Sequence, residues 1–149
     1  MRRTVPFILL LSSLALAQQT PRPKQTVTAD PTVVLRFLQG DVTMLGATFP
    51  NVTFQRGVLT LLKTKKITRL TLLTTKEQLS NMAPLRAAGA GVYYLPVDGV
   101  RMSGNTIFAG SNTIIFQNSP SRWTIMQADR LADGAKASLS LYFNNAKKF

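Results

Sequence analysis

Two chemically versatile residues are missing from this sequence. Neither cysteine nor histidine occurs among its 149 residues. Without cysteine the chain can form no disulfide, no thiol nucleophile and no thiolate metal site. Without histidine it has no imidazole base and no histidine ligand for zinc. We therefore expect no metal and no cofactor, and stability has to come from the packing of apolar residues, which make up 45% of the chain.

Acidic residues are scarce as well. The chain has 6 Asp and Glu against 18 Lys and Arg, a net charge of +12. So large an excess favours an anionic partner, because many cations on a small surface attract phosphate groups and other anions. The expected partners are an anionic polymer, DNA or RNA, or an anionic lipid surface. The alternative is that the charge serves only to keep the protein in solution.

The few carboxylates limit acid–base chemistry, which needs positioned acidic side chains. Glu77, Asp129 and Asp133 fall near predicted helix starts, where negative charge is favourable. Asp41 and Asp98 adjoin glycine in predicted turns. A hydrolase that uses carboxylates instead of histidine is an alternative function. It requires Asp41 or Asp98 to lie in a cleft beside a second carboxylate.

The first 17 residues have the build of a secretory signal peptide. Arg2 and Arg3 give a positive start, residues 5–16 are mostly apolar, and Ala15 and Ala17 are small residues at the positions that flank a cleavage site. An apolar run this short is below the roughly 20 residues of a spanning helix, although an uncleaved membrane anchor is the alternative. We expect cleavage after Ala17 and a secreted or periplasmic bacterial protein without a stable transmembrane anchor.

Proline and polar residues dominate residues 18–30, which we interpret as a flexible linker. Residues 31–149 are enough for one domain, and their hydrophobic periodicity predicts alternating strands and helices. The predicted elements are a strand at 32–37, a helix at 53–66, a strand at 67–73, a helix at 75–89, a strand at 91–97, hairpin arms at 105–109 and 113–117, a strand at 122–126 and a helix at 129–148. The strand–helix–strand order from 67 to 97 indicates a βαβ unit with parallel strands.

This order of elements predicts a single-domain α/β sandwich with a mixed, largely parallel sheet that ends in a hairpin, a strand and a helix. Together with the size and the export signal, it resembles the small secreted nucleases of the phospholipase D superfamily. The similarity is clearest from residue 67 to the end of the chain. The resemblance implies a phospholipase D-like fold for residues 31–149 and a homodimer in which two copies of residues 103–105 meet.

The family's catalytic motif, His-x-Lys-x4-Asp followed after six residues by Gly-Ser, is degenerate in this sequence. In the family the histidine attacks phosphorus and the lysine holds the phosphate oxygens. The positions of the motif fall on Ser103, Asn105, Gly110, Gln117 and Asn118, in that order. None of the five family residues is present, and the chain has no histidine to replace the nucleophile. The sequence therefore excludes a histidine-dependent phosphodiesterase and predicts a pseudoenzyme without catalytic residues.

The densest run of positive charge lies where the first predicted helix meets the next strand. If residues 54–66 are helical, Lys63 and Lys66 share one face of that helix, and Arg69 extends the patch along the strand. The residues predicted to bind the anionic partner are Lys63, Lys65, Lys66, Arg69, Arg86 and Arg101.

Exposed aromatic side chains near these cations would favour single-stranded nucleic acid, because bases stack on aromatic rings. Tyr93 and Tyr94 point to opposite faces of a predicted strand, so one of them is expected to be exposed. Trp123, next to Arg122, is a second candidate. An exposed apolar patch in place of a basic groove would instead favour a cell-envelope accessory that binds another protein.

Overall fold

In the part of the chain that the structure describes, the apolar runs of the sequence build one mixed sheet of eight strands. The computed structural model describes residues 22–49, 51–99, 102 and 104–149. Its strands are β1 (Lys24–Thr28), β2 (Gly40–Leu45), β3 (Ile67–Thr75), β4 (Gly91–Leu95), β5 (Thr106–Ala109), β6 (Thr113–Ser119), β7 (Arg122–Gln127) and β8 (Lys147–Lys148). Its α-helices are α1 (Pro31–Leu35), α2 (Val52–Lys63), α3 (Leu79–Ala87), α4 (Leu131–Lys136) and α5 (Ser140–Phe143). The strands lie in the order β1-β7-β6-β5-β2-β3-β4-β8.

Parallel pairing occurs where a helix connects two neighbouring strands. β2 pairs with β3, and β3 with β4, both in parallel, because α2 and α3 return the chain to the same end of the sheet. The pairs β1–β7, β2–β5, β4–β8, β5–β6 and β6–β7 are antiparallel. The α/β class, the mixed sheet and the hairpin are confirmed. The expectation of a largely parallel sheet is wrong, since the turns that join β5, β6 and β7 are too short for crossovers.

The helix α1 (Pro31–Leu35) occupies most of the segment 32–37, which was expected to be a strand. The Asp30 carboxylate accepts hydrogen bonds from the Thr32 hydroxyl at 2.7 Å and from the Thr32 backbone N–H at 2.8 Å. Pro31 occupies the first helical turn, where its fixed backbone angle suits a helix. These local signals outweigh the β-branched side chains of Val33 and Val34. Gly40, expected to close the strand, instead begins β2.

The Asp30 cap predicts a contribution to stability that depends on pH. The hydrogen bonds from the hydroxyl and the backbone N–H of Thr32 lower the pKa of the Asp30 carboxyl. A carboxyl whose pKa is lower in the folded state stabilises the fold above its unfolded pKa, and this contribution disappears as the pH falls through the folded pKa. We expect the stability advantage of the wild type over Asp30→Ala, measured by urea denaturation, to shrink between neutral pH and about pH 3. Asp30→Asn caps without titrating, so its advantage over Asp30→Ala should stay constant, and a constant wild-type advantage would contradict the role of this carboxyl.

Part of the predicted linker is a strand. β1 pairs antiparallel with β7 along its whole length, from Lys24 opposite Gln127 to Thr28 opposite Trp123. The linker interpretation is wrong for these residues, because a mostly polar edge strand has too little apolar alternation to be told from a loop. Residues 1–21 lie outside the described residues, so the signal peptide at 1–17 and its cleavage after Ala17 stay predictions.

Helices cover both faces of the sheet. α1, α2 and α3 pack on the face of the main core, where the ring centroids of Phe54 and Trp123 lie 4.9 Å apart. Trp123 is only 2% exposed, so the prediction that it offers a ring to a ligand is wrong. The smaller core on the other face, below α4 and α5, is formed by Phe108, Ile114, Ala132 and Leu139.

The predicted helix at 129–148 is divided into α4, α5 and β8. The helix does not continue to residue 148 because β8 pairs with β4, and the Phe149 backbone N–H donates to the Val92 carbonyl at 2.8 Å. Backbone groups at the end of the chain thus form hydrogen bonds with the edge of the sheet instead of with a last helical turn. Among the residues that the structure describes, no helix has the length and apolar character needed to cross a membrane.

Candidate functional site

A groove opens on the sheet face that α4 and α5 partly cover. Its volume is about 360 Å³. Side chains of β2, β3 and β4 form the floor, because every second residue of a strand points to the same face, and α4, α5 and the turn between them form the wall. The residues that line the groove are Asp41, Thr43, Arg69, Thr71, Tyr93, Lys136, Leu139 and Phe143.

Of the residues that the structure describes, two cations and one carboxylate line the groove. Arg69 is exposed, and it forms no ion pair with any carboxylate among the described residues. Lys136 Nζ donates a hydrogen bond to the Gly110 carbonyl at 2.9 Å. Asp41 lies opposite Arg69 in the parallel pairing of β2 with β3. The groove therefore carries an excess of positive charge, with Arg69 the cation that is most available to a ligand.

The part of the groove lining that the structure describes contains a single carboxylate, whereas a carboxylate hydrolase needs a pair. All six acidic residues of the sequence fall within the described part of the chain. Asp41 is the one carboxylate that lines the groove. Asp98 is 84% exposed and lies 3.4 Å from Lys76 Nζ. Neither residue predicted for this role shares a cleft with a second carboxylate.

Tyr93 places an aromatic ring beside the cations of the groove. Its ring meets that of Phe143 edge to face, with the centroids 5.5 Å apart and the planes at 88°. Tyr93 and Tyr94 are both half-buried, so each keeps part of its side chain accessible. Tyr93 is nevertheless the one of the two that reaches an open site.

The lysine-rich run lies just before the start of β3. α2 ends at Lys63, and Lys65 follows with a left-handed backbone (φ 64°). The helix therefore does not reach Lys66, and the prediction that Lys63 and Lys66 share a helical face is wrong. The Lys66 carbonyl accepts from the backbone N–H of Gly40 at 2.9 Å, which ties the run to the end of the sheet that holds Arg69. We call Lys63, Lys65, Lys66 and Arg69, all of which are exposed, the basic end.

The other two predicted binding residues, Arg86 and Arg101, are not part of the basic end. The Arg86 guanidinium lies over the ring of Phe149, 4.5 Å from its centroid. This cation–π contact gives Arg86 a role in fastening the C-terminal residue to α3. Arg101 lies outside the described residues, as does Ser103, the first of the degenerate motif positions.

Two of the degenerate motif positions meet in a buried hydrogen-bond network. Asn105 Nδ2 donates to the Gln117 Oε1 atom at 2.6 Å and to the Thr48 carbonyl at 2.7 Å. The Thr48 backbone N–H donates to Asn105 Oδ1 at 3.1 Å. Asn105 is 3% exposed and Gln117 is 7% exposed. We call Asn105, Gln117 and Thr48 the amide network; both amide hydrogens of Asn105 are used within the protein.

The two remaining described motif positions, Asn118 and Gly110, make no side-chain hydrogen bond to the amide network. Asn118 is exposed and donates to the Thr124 hydroxyl at 2.8 Å. Gly110 follows the last residue of β5, and its backbone N–H donates to the Asp41 carbonyl at 2.9 Å. Position 110 therefore adjoins the groove, whereas Asn105 lies at the opposite end of β5. The strand between them spans roughly 13 Å at about 3.3 Å per residue.

Sequence reasoning missed part of the groove. Lys136 was assigned only to a helix, and no local pattern marks it as different from other surface lysines. Thr43 and Thr71 are paired in register on adjacent strands, but threonine in a strand is ordinary. Arg69, Thr71 and Tyr93 could be placed on one face of the sheet from the alternation of side chains along β3 and β4. That step also requires the parallel register of the two strands, which is known only once the topology is known.

Comparison with known proteins identifies the fold. Nuc from Salmonella typhimurium, a phospholipase D family member, matches with a TM-score of 0.69 and 9% identity over 85% of this chain and 98% of that one. NucT from Helicobacter pylori matches with a TM-score of 0.66 and 11% identity over 85% and 99%. TrmBL2, an archaeal chromatin protein with a novel mode of DNA binding, matches with a TM-score of 0.59 and 11% identity over 96% of this chain and 60% of that one. No family model and no curated protein matches the sequence. The chain has the phospholipase D fold.

Proposed function

We propose that this protein is an exported, catalytically inactive domain of phospholipase D fold that binds nucleic acid through the basic end and the groove. The observation that carries the proposal is the meeting of Arg69, Lys136 and Tyr93 in one open groove beside three exposed lysines. Phosphates are bound by clustered Lys and Arg, and bases stack on aromatic rings. The export signal at residues 1–17 supports a role outside the cytoplasm.

The absence of catalysis is supported by the chemistry that the motif positions have lost. The chain contains no histidine, so it has no nucleophile of the kind used in the family. The position of the family's lysine holds Asn105, whose amide hydrogens are donated to Thr48 and Gln117. An engaged neutral amide can neither attack phosphorus nor replace the positive charge that holds phosphate oxygens.

Nucleic acid is favoured over the other anionic partners by the shape and the aromatic lining of the site. A lipid surface is bound by a convex face with protruding apolar side chains, whereas the exposed cation Arg69 lines a groove with Tyr93. TrmBL2, one of the proteins of similar fold, is described as DNA-binding. The homodimer that the resemblance implies is a further part of the proposal, and sedimentation equilibrium of the purified protein tests it.

One observation favours a second candidate function. Leu141 and Tyr142, adjacent on α5, are 71% and 54% exposed, and Lys147 and Lys148 follow a few residues later. A pair of protruding apolar side chains near cations suits an anionic lipid surface or a protein partner. Co-sedimentation with phosphatidylserine vesicles separates this candidate from the first. Leu141→Ser should abolish vesicle binding and leave DNA binding unchanged if the second candidate is correct.

The first proposal predicts that DNA binding depends strongly on the lysines of the basic end and on salt concentration. The triple variant Lys63→Gln/Lys65→Gln/Lys66→Gln should raise the Kd for a fluorescein-labelled 20-mer about tenfold or more at low salt. It should also flatten the plot of log Kd against log salt concentration, because each lost phosphate contact removes roughly 0.7 to 0.9 from the slope. Fluorescence anisotropy at several salt concentrations measures both quantities.

A control variant with the same net charge isolates the position of the charges. Lys24→Gln/Lys76→Gln/Arg122→Gln removes three exposed cations that belong neither to the basic end nor to the groove lining. We expect it to change the Kd by less than about threefold, through the loss of long-range attraction alone. Equal weakening by the two triple variants would show that net charge, not the basic end, attracts DNA. Binding that is insensitive to salt, or no binding at low salt, would refute the proposed function.

A further inference from the structure

We propose that the groove holds one unstacked nucleotide, so that the protein prefers single-stranded over duplex nucleic acid. This inference rests on the proposed function and adds to it the form of the polymer and the place where a base is bound. It assigns a ligand to residues of β2, β3, β4, α4 and α5, none of which belongs to the amide network. The site is thus distinct from the place where the degenerate motif begins.

The size of the groove suits a single nucleotide. Its volume of about 360 Å³ lies within the range of small-molecule sites, roughly 300–1,000 Å³. The floor is the strand surface of β2, β3 and β4, and the wall rises from α4 and α5, so the space admits a ligand from one side. A base that is paired and stacked in a duplex is covered on both faces and cannot enter such a space, whereas a base in a single strand can.

The aromatic part of the ligand is recognised by Tyr93. The edge-to-face contact with Phe143 holds the tyrosine ring in one orientation, so little side-chain entropy is lost when a base stacks on it. Leu139 and Phe143 add apolar surface to the same wall. Stacking of this kind tolerates any base, because every base has an aromatic face.

The anionic part of the ligand is recognised by Arg69. The guanidinium is always charged, is exposed, and presents donors in a geometry that matches phosphate oxygens. Lys136 adds a second positive charge while its Nζ stays bonded to Gly110. The hydroxyls of Thr43 and Thr71 supply neutral hydrogen-bonding groups between the cation and the ring.

Asp41 works against an anionic ligand. Its carboxylate lines the groove next to Arg69, and it repels a phosphate while it attracts the guanidinium. Removing this charge should therefore strengthen binding. A gain of affinity is a sharper test than a loss, because damage to the fold does not produce it.

The experiment measures the binding of a labelled dT12 strand and of a 12-bp duplex by fluorescence anisotropy. We expect wild-type protein to bind dT12 more tightly than the duplex at the same salt concentration. Tyr93→Leu, which keeps apolar contact with Phe143, should weaken dT12 binding about fivefold or more and leave duplex binding within about twofold. The matched control is Tyr94→Leu, on the other face of the same strand, which should leave both affinities unchanged.

Charge variants test the phosphate contact and guard against misfolding of the tyrosine variant. Arg69→Gln changes an exposed residue without a described ion pair, and it should weaken dT12 binding about tenfold. Asp41→Asn should tighten dT12 binding about twofold or more. Titration with thymidine monophosphate, thymidine and inorganic phosphate, followed by NMR of the Tyr93 ring signals, should show the strongest response to the monophosphate.

The possible failures are distinguishable. Salt-sensitive binding with no preference for dT12, or with equal effects of Tyr93→Leu and Tyr94→Leu, would overturn the nucleotide groove and leave the proposed function standing. Absence of salt-sensitive binding to both oligonucleotides would overturn both. Weaker dT12 binding by Asp41→Asn would contradict a phosphate beside Arg69.

Discussion

Gly46→Ala is expected to destabilise the protein by about 3 kcal/mol or more, a large part of the 5–15 kcal/mol that usually holds a domain folded. Gly46 has a backbone φ of 96°, a conformation that residues other than glycine rarely adopt. A Cβ atom at this position would come closer to the Gly104 carbonyl oxygen than real Cβ atoms approach any neighbour. Because the neighbour is backbone, no side chain can turn away to relieve the overlap, and strain and overpacking costs add.

The control for this prediction is a glycine that has the backbone angle without the neighbour. Gly110 has a φ of 58°, and a Cβ built there meets nothing within 4 Å. Gly110→Ala should therefore cost only the left-handed backbone penalty, roughly 1–2 kcal/mol. Urea denaturation of both variants under the same conditions measures the difference. If Gly46→Ala costs no more than Gly110→Ala, the close approach of residues 46 and 104 does not exist in solution.

The contact between Gly46 and Gly104 explains how the amide network is assembled. Gly104 also has a left-handed backbone (φ 87°), and a Cβ there would lie 2.5 Å from the Gln117 carbonyl oxygen. The two glycines let the loop after β2 and the loop before β5 touch. Thr48 lies two residues after Gly46, and Asn105 follows Gly104 directly. The two hydrogen bonds between Thr48 and Asn105 fasten the loops together.

The parts of the fold that the sequence predicts correctly are those with strong local patterns. β3 and β4 have long apolar or β-branched runs, and the hairpin of β5 and β6 has glycine at its turn with a left-handed backbone at Gly110. Such signals need no knowledge of distant residues. The predicted helix 53–66 matches α2 except at its end, because Lys65 adopts a left-handed conformation that no local rule requires of lysine.

The errors arise where short-range and long-range forces compete. Residues 31–35 have β-branched side chains, but the cap by Asp30 and the proline after it make them helical. β1 is a strand only because β7 offers it an edge. The groove could be predicted in part, since Arg69 and Tyr93 were recognised as candidates. Its location required the register of β2, β3 and β4 and the position of α4, which are decided by packing across the whole domain.

Asn105→Asp is expected to destabilise the protein by about 3 kcal/mol at neutral pH. The substitution keeps the shape of the side chain, but it replaces the amide that donates to the Thr48 carbonyl and to Gln117 Oε1 with an oxygen. Two acceptors then face a carboxylate that is nearly inaccessible to water. An unsatisfied buried polar group costs about 1–3 kcal/mol, and a buried charge costs more. The matched control is Asn118→Asp, an exposed position where a carboxylate remains hydrated and the expected cost is below about 1 kcal/mol.

The pH dependence of Asn105→Asp separates this mechanism from simple misfolding. Burial and facing acceptors should raise the pKa of the new carboxyl above its unfolded value, so the folded state binds the proton more tightly. The stability of the variant relative to the wild type should therefore rise as the pH falls from about 8 towards 4, because the protonated acid can donate one hydrogen bond. Urea denaturation at several pH values measures this recovery, and Asn118→Asp should show none. A deficit of Asn105→Asp that stays constant with pH would mean that the new carboxyl has the same pKa in the folded and unfolded states, so that residue 105 is hydrated.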